Sequence, residues 1–416
     1  MKSLALLGAL LAGVACATWT VAAGAQDAES LTLEEALVLA GVTPGADPNA
    51  QNPRAIGPRA EVEASEALVT QAGLRPNPEV SLEVENIGGT GAFSGLRATE
   101  TTLSAGLPIE LGGKRTARLE AARADLAVFR LREHIAVADI ALAVRQRYVG
   151  AVAAQARVGL AQSVVDRNRE LARIAKELVD AGREPPLHSL RAQSELAEAE
   201  AELKAAQAEA LSTRFALGAM WSQAPSAPLT DTFPAIRPPY ELLVDYDGLE
   251  PRLAASERVA AEAAIGRERS LGIPDPTVSA GVRRFEESND QAFVVGVSIP
   301  LPLRNRNQGN IAAAQAQARA AAAREAVATL DYRQAVAEAR ADYLAAEAKA
   351  DTLEQGSLPH AEEALRLADI GYRNGKFALL EVLSAADARD DIRRSLIDAR
   401  EEQGKAAALL IRLAAQ

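Results

Sequence analysis

The chain has 416 residues, a formal net charge of −11 and an aromatic content of only 4%. So few large side chains cannot fill several deep cores. The dense alanine between residues 312 and 350 instead favours helices that pack closely along their length. An acidic chain without clustered basic stretches is a poor nucleic-acid binder, so no nucleic-acid partner is expected.

The first 25 residues read as a secretory signal peptide. Lys2 supplies a positive start, an apolar stretch covers residues 4–17, and small residues permit cleavage after Ala25. The apolar stretch is shorter than the about 20 residues of a membrane helix, so any membrane crossing is expected to be made by strands. The alternative to cleavage after Ala25 is a lipoprotein signal, in which Cys16, the only cysteine of the sequence, would be lipidated. Cleavage after Ala25 would remove this thiol and with it any disulfide or thiolate metal site.

Two helices are predicted before the first strand. Residues 31–37 predict a short helix, with Thr32 as its N-cap and Glu35 at the capping-box position. A second helix is expected from about Arg54 to Ala72, and the two prolines that follow it cannot continue a helix.

Four segments then alternate between apolar and polar residues, which is the pattern of half-buried strands. They form two predicted β-hairpins, at about residues 78–109 and 276–300. Each strand has about nine to eleven residues, the length that crosses a bilayer when tilted. Every backbone polar group must be paired in lipid, and membrane barrels start at about eight strands. Several copies must therefore share one barrel, unless the strands form a soluble sheet on a helical bundle.

A long, largely proline-free stretch follows each strand pair and predicts a helical hairpin. The first hairpin combines helices at about 114–181 and 187–220, and the second combines helices at about 310–372 and 377–413. At 1.5 Å per residue the first helix reaches on the order of 100 Å, too long for one small sheet to cover. This length favours the shared barrel over the soluble sheet.

The two halves repeat one unit. Residues 76–84 are answered by residues 274–282, and residues 103–109 by residues 295–301. The predicted division is a signal peptide (1–25), a first repeat (26–220, helical hairpin about 112–220), a proline-rich ordered connector (221–250) and a second repeat (251–416, helical hairpin about 305–413).

The chain resembles the TolC family of outer-membrane channel proteins, and more narrowly its CzcC-type branch of heavy-metal efflux. The resemblance is carried by residues 77–86, 107–115, 372–375 and 380–383. It implies a mainly α fold with a small transmembrane β part, in which a homotrimer shares a 12-stranded β-barrel above a long periplasmic α-helical barrel. The implied partners are outer-membrane lipid, a periplasmic adaptor and an inner-membrane RND cation/proton antiporter.

The helical turns are the predicted adaptor-docking surface, because the resemblance puts them at the periplasmic tip. The glycine of each turn fits a left-handed helix C-terminus, which any helical hairpin would also want. Equivalent residues lie at a constant offset of 193 positions, and the docking set is Gly182, Arg183, Leu187, Leu190, Gly375, Lys376, Leu380 and Leu383.

Acidic residues are the other candidates. Glu381 lies one turn beyond the second tip, where related channels carry an acidic ring at the aperture; the alternative is a solvated helix residue. His188 takes its place in the first repeat, so a double acidic ring is in doubt. Three further acids alternate with the apolar residues of the first strand and are expected to face the lumen: Glu79, Glu83 and Glu85. There they either favour the passage of cations or only keep the lumen surface hydrated.

No enzyme, cofactor or metal site is predicted. His134, His188 and His360 are isolated, without a second histidine or cysteine at ligand spacing.

The leading interpretation is an outer-membrane channel that exports heavy-metal cations in a tripartite RND-type efflux system. A TolC-type channel for organic compounds or a secreted protein is the first alternative, and a periplasmic coiled-coil adaptor is the second.

Overall fold

The computed structural model describes residues 30–42, 52–222, 228–239, 248–374 and 376–415. The predicted signal peptide with Cys16 lies outside these ranges, as do parts of the connector and Gly375. The described chain is mainly helical, with one small sheet.

The helices follow the predicted order along the chain. Their bounds are α1 Leu33–Leu39, α2 Pro53–Ala72, α3 Lys114–Asp180, α4 Pro186–Gly218, α5 Leu249–Leu271, α6 Gln308–Thr352, α7 Leu358–Arg373 and α8 Leu379–Leu413. None of these helices is long and apolar enough to span a membrane.

The capping box of α1 is confirmed. The Thr32 N–H donates to the Glu35 carboxylate (2.9 Å), and the Glu35 N–H donates to the Thr32 hydroxyl (3.2 Å). The helix belongs to a core with α3 and the connector, in which the fully buried Tyr148 donates its hydroxyl to the Leu31 carbonyl (2.8 Å). Leu31 also forms a bridge with Leu229, so this part of the connector lies beside the start of α1.

One four-stranded antiparallel sheet combines strands from both halves. The strands β1 Glu79–Glu85, β2 Glu100–Pro108, β3 Thr277–Phe285 and β4 Gln291–Ser298 pair in the order β1-β2-β3-β4. Because Leu103 pairs with Leu82 on one side and with Val282 on the other, the apolar residues of all strands share one face. The outer edges of β1 and β4 have no strand partner within the described chain.

The helical hairpins pack side by side and antiparallel. Helix α3 contacts α2, α4, α5 and α8, whereas α6 contacts α5 and α8, and α7 contacts α8. Arginines of α3 pair with acids of α8 in reversed order: Arg157 with Asp398 (2.7 Å) and, nearer the end of α3, Arg167 with Asp387 (3.2 Å). The end of α3 and the start of α8 therefore lie at the same end of the molecule, so both helical turns do too.

The prediction of one continuous helix at about 310–372 is wrong in one detail. A π-helical turn at Leu353–Ser357 separates α6 from α7. Pro359 follows it, and proline both lacks an amide N–H and clashes with the carbonyl four residues before it. A widened turn accommodates this proline without ending the helix.

Candidate functional site

The sheet has one apolar and one polar face, and its apolar face is uncovered in the single chain. Val80 is 74% exposed, Phe293 90% and Val295 76%. On the opposite face short polar residues meet, such as Ser81 and Ser104, whose hydroxyls lie 2.8 Å apart. An exposed apolar face on a sheet with free edges marks a surface for contact with another protein or with a membrane.

The three predicted lumen acids lie together on the polar face. Glu85 is tied to Arg283 of β3 (2.9 Å), which also contacts Glu100 (2.9 Å) and the Thr102 hydroxyl (2.9 Å) of β2. Glu79 and Glu83 have no ion pair within the described chain. The polar face thus carries an ion-paired acid, Glu85, near the loop end of β1, and two acids without an ion pair in the described chain further from that loop.

The first helical turn closes with the left-handed glycine that the sequence predicts. Gly182 has φ +67°. Its N–H donates to the Val179 carbonyl (3.0 Å), and the Arg183 N–H reaches back to the Leu178 carbonyl (2.8 Å). This pair of bonds is the Schellman motif, which satisfies the last carbonyls of α3.

The second turn repeats the bond of the first turn that spans five residues, and it adds an aromatic contact. The Lys376 N–H donates to the Gly371 carbonyl (2.8 Å), at the position equivalent to Leu178. The Phe377 ring lies against Gly371 so closely that a Cβ at this position would collide with a ring carbon. Gly375 lies outside the described residues, so its predicted left-handed conformation stays a prediction.

Apolar and basic residues are exposed at both turns. Leu187, Leu190 and Leu380 are 68%, 64% and 62% exposed, and Leu383 is half-buried. Arg183 and Lys376 are exposed and have no acidic partner within the described chain. The shared end of the hairpins therefore presents leucines beside free positive charges.

Carboxylates near the turns are almost all paired with basic side chains. A hydrogen bond from Arg173 lowers the pKa of Glu170, and one from Arg366 lowers the pKa of Glu363. The other paired acids of residues 170–195 and 362–391 are Glu177, Asp180, Glu184, Glu195, Glu362, Asp369, Asp387, Asp390 and Asp391.

Glu381 is the exception among the described residues of these two segments. It is exposed in the first turn of α8, without a basic partner. Its counterpart His188 lies with Nδ1 2.7 Å from the Glu184 carboxylate, so the two tips differ electrostatically. In the described part of residues 170–195 and 362–391, the one acid without a basic partner is therefore Glu381, the candidate aperture residue of the sequence analysis.

Two features escaped the sequence analysis. The Arg283 cluster depends on the pairing of β2 with β3, which joins residues about 180 positions apart and leaves no local signal. The Gly371–Phe377 contact had a weak signal, because a glycine inside an amphipathic helix lowers its stability unless something packs there. Within the described ranges no group of histidines and acids could hold a metal ion.

The architecture is that of a membrane channel protein: a sheet with an apolar outer face joined to long antiparallel helical hairpins. Its structure is similar to that of CusC, solved in a study of folding and transmembrane channel formation, with a TM-score of 0.75, 18% identity and 93% coverage of both chains. The fold is TolC-like, as predicted.

Sequence comparison gives the family. The profile described as outer membrane efflux protein matches residues 50–223 and 252–416. The cobalt-zinc-cadmium resistance protein CzcC of Cupriavidus metallidurans is 35% identical over 348 residues, 82% of this chain and 79% of that protein. The nickel-cobalt-cadmium resistance protein NccC of Alcaligenes xylosoxydans xylosoxydans is 32% identical over 248 residues, 58% of this chain and 56% of that protein. The chain belongs to the outer membrane efflux protein family.

Proposed function

We propose that this protein is the outer-membrane channel of a tripartite RND-type efflux system that exports heavy-metal cations. The observation that carries the proposal is the joined architecture: a two-faced sheet continued by hairpins whose first helix, of 67 residues, extends about 100 Å. A channel needs a lipid-facing surface and a long polar conduit, and this chain supplies both. The relatives named for cobalt, zinc, cadmium and nickel resistance support metal cations as cargo.

The test is metal tolerance in the parent organism. Deleting the gene is expected to lower tolerance to cobalt, zinc and cadmium at least severalfold, with restoration by the intact gene. A deletion that leaves metal tolerance unchanged but sensitises cells to organic compounds would favour the TolC-type alternative. The adaptor alternative loses its ground, because the chain belongs to a family of outer-membrane efflux proteins.

The assembly we propose is a homotrimer. One copy offers four strands with free edges at β1 and β4, too few to close a membrane barrel. Three copies that pair β4 of one with β1 of the next give twelve strands, with the apolar faces toward lipid and the polar faces toward the lumen. Within each copy we propose the division that the sequence predicts, which is two repeats joined by the connector.

The turns of the hairpins are the proposed docking surface for a periplasmic adaptor, which would connect the channel to an inner-membrane RND antiporter. Three observations support this proposal: the exposed leucines, the basic side chains of Arg183 and Lys376, which have no acidic partner in the described chain, and the left-handed backbone of Gly182. Leucines give an adaptor apolar contact area, and free basic groups select acidic partners at the rim.

Changing Gly371 to alanine is expected to weaken adaptor binding by about tenfold. The new methyl group must displace the Phe377 ring, which shifts the turn that carries Lys376 and Leu380. Binding of the purified adaptor to the channel, measured by surface plasmon resonance, checks this. The matched control is Gly266→Ala on α5, where a Cβ meets nothing within 4 Å and affinity should stay the same. Equal affinities for both variants would remove the second turn from the docking surface.

Glu381 is the proposed aperture residue. Three copies around the channel axis would bring three uncompensated carboxylates together, which attracts cations and repels anions. The polar-face acids Glu79 and Glu83 are proposed to act in the same sense within the barrel, whereas Glu85 is ion-paired with Arg283, which it shares with Glu100.

Changing Glu381 to glutamine is expected to lower cation selectivity and single-channel conductance about twofold or more in planar bilayers at low salt. The effect should shrink at high salt, because mobile ions screen the ring. Glu198→Gln on α4 is the control, an exposed acid without an ion pair in the described chain and away from the turns. Unchanged selectivity in the Glu381 variant would rule out an acidic aperture.

A further inference from the structure

The four junctions between strands and helices meet at one end of the sheet. The junction belt consists of residues 72–78, 109–118, 267–276 and 299–308. Hydrogen bonds tie all four segments together. The Ile109 N–H donates to the Pro276 carbonyl (2.8 Å), Arg118 donates to the Leu74 carbonyl (2.9 Å), and the Asn307 side chain donates to the Glu268 carbonyl (2.8 Å). The belt is therefore one continuous band around the helix-side end of the sheet.

This band is basic, although the whole chain carries −11. It holds eight lysines and arginines but only three acids, a net charge of +5. Each acid is already engaged by a base, and the three pairs are Glu110–Arg118 (2.6 Å), Asp275–Lys114 (2.6 Å) and Glu268–Arg267 (3.1 Å).

Five arginines of the belt remain without a carboxylate partner in the described chain: Arg75, Arg115, Arg269, Arg304 and Arg306. All five are exposed. Arg115 and Arg306 donate only to backbone carbonyls, of Gly73 (2.6 Å) and Pro302 (3.2 Å). About half of the described arginines of the chain form an ion pair, whereas most of the arginines in the belt do not. This concentration of free guanidinium groups at one level favours an anionic partner.

Exposed aliphatic residues lie among these arginines. Leu301 and Leu303 lie beyond the last paired residue of β4, and they are 74% and 77% exposed. The rest of the apolar part of the belt is Leu74, Ile109, Leu111, Leu271, Ile273 and Ile299. The belt therefore exposes aliphatic as well as basic side chains at the end of the sheet.

We propose that the junction belt binds the anionic head groups of the phospholipid leaflet on the helix side of the membrane. Guanidinium groups bind phosphate through paired hydrogen bonds, and the aliphatic residues fit the acyl chains just beneath those phosphates. A free phosphate ion would use the arginines but leave the aliphatic residues uncovered, so the lipid is the occupant that satisfies both. This inference rests on the proposed function, since it requires the sheet to lie in a membrane.

The test compares lipid association of the full mature protein in phosphatidylcholine vesicles that contain a trace of spin-labelled phosphatidylglycerol or spin-labelled phosphatidylcholine. The wild type is expected to prefer phosphatidylglycerol about fivefold. The triple variant Arg75→Gln/Arg304→Gln/Arg306→Gln should lose most of this preference. The control Arg319→Gln/Arg324→Gln/Arg333→Gln removes three exposed arginines of α6 that have no ion pair in the described chain, and this variant should keep the preference.

Three results would overturn the proposal. They are equal association of both lipids with the wild type, equal loss in the belt and control variants, or loss of the preference when inorganic phosphate replaces chloride at constant ionic strength. The last result would mean that the belt binds free anions. Failure of the wild type to insert into vesicles at all would instead contradict the proposed function, on which the belt depends.

Discussion

Replacing Leu82 by arginine is expected to cost about 2–4 kcal/mol per copy in the free energy of folding into lipid vesicles. Leu82 lies in the middle of β1 on the apolar face, 66% exposed, opposite Leu103. If this face meets hydrocarbon, a guanidinium group there loses its water and has no partner within reach. Denaturant titration of vesicle-inserted protein measures the change.

The neighbouring residue provides the control for this variant. Ser81 precedes Leu82 in the same strand but points to the polar face, where its hydroxyl meets that of Ser104. Ser81→Arg adds the same charge at the same depth and should cost less than about 1 kcal/mol, because the lumen is wet. Equal costs for Ser81→Arg and Leu82→Arg would show that the two faces do not differ in environment, and the sheet would lose its membrane assignment.

Replacing Asp275 by alanine is expected to destabilise the sheet-to-helix corner by about 3 kcal/mol. The Asp275 carboxylate binds Lys114 (2.6 Å), whose side chain is only 10% exposed, and it also accepts the Leu111 N–H (2.8 Å). The alanine variant leaves a nearly buried ammonium group and an amide without their partner. Thermal unfolding of the detergent-solubilised protein, followed by circular dichroism, reports the loss.

A graded series separates the two contributions of Asp275. Asp275→Asn keeps an acceptor for the Leu111 N–H but removes the charge, so it should fall between wild type and alanine. Adding Lys114→Met to Asp275→Ala removes the stranded charge and should restore part of the lost stability. If the double variant is as unstable as the sum of the single changes, the two side chains do not interact energetically.

Local periodicity was sufficient for much of the fold. Alternation of apolar and polar residues predicted β1 and its faces, and the Thr32–Glu35 capping box predicted the start of α1. Both signals lie within a few residues of the structure they determine. The same holds for Gly182, because a left-handed helix terminus is decided by its own backbone.

Features that depend on distant partners could not be read from the sequence. Arg283 reaches Glu85 and Glu100 only because β2 pairs with β3, and a hairpin pattern does not specify which hairpins become neighbours. The isolation of Glu381 likewise becomes visible only when acids such as Asp387 are seen paired with arginines of another helix. The basic junction belt combines four separate segments, so no stretch of sequence reveals it.

The most direct test of the whole account is the oligomeric state of the mature chain in relation to membrane. Light scattering in detergent, corrected for bound detergent, should give the mass of three copies, and the same preparation should form conducting pores in planar bilayers. A water-soluble monomer that needs no detergent would contradict the claim that copies pool their strands to line one channel.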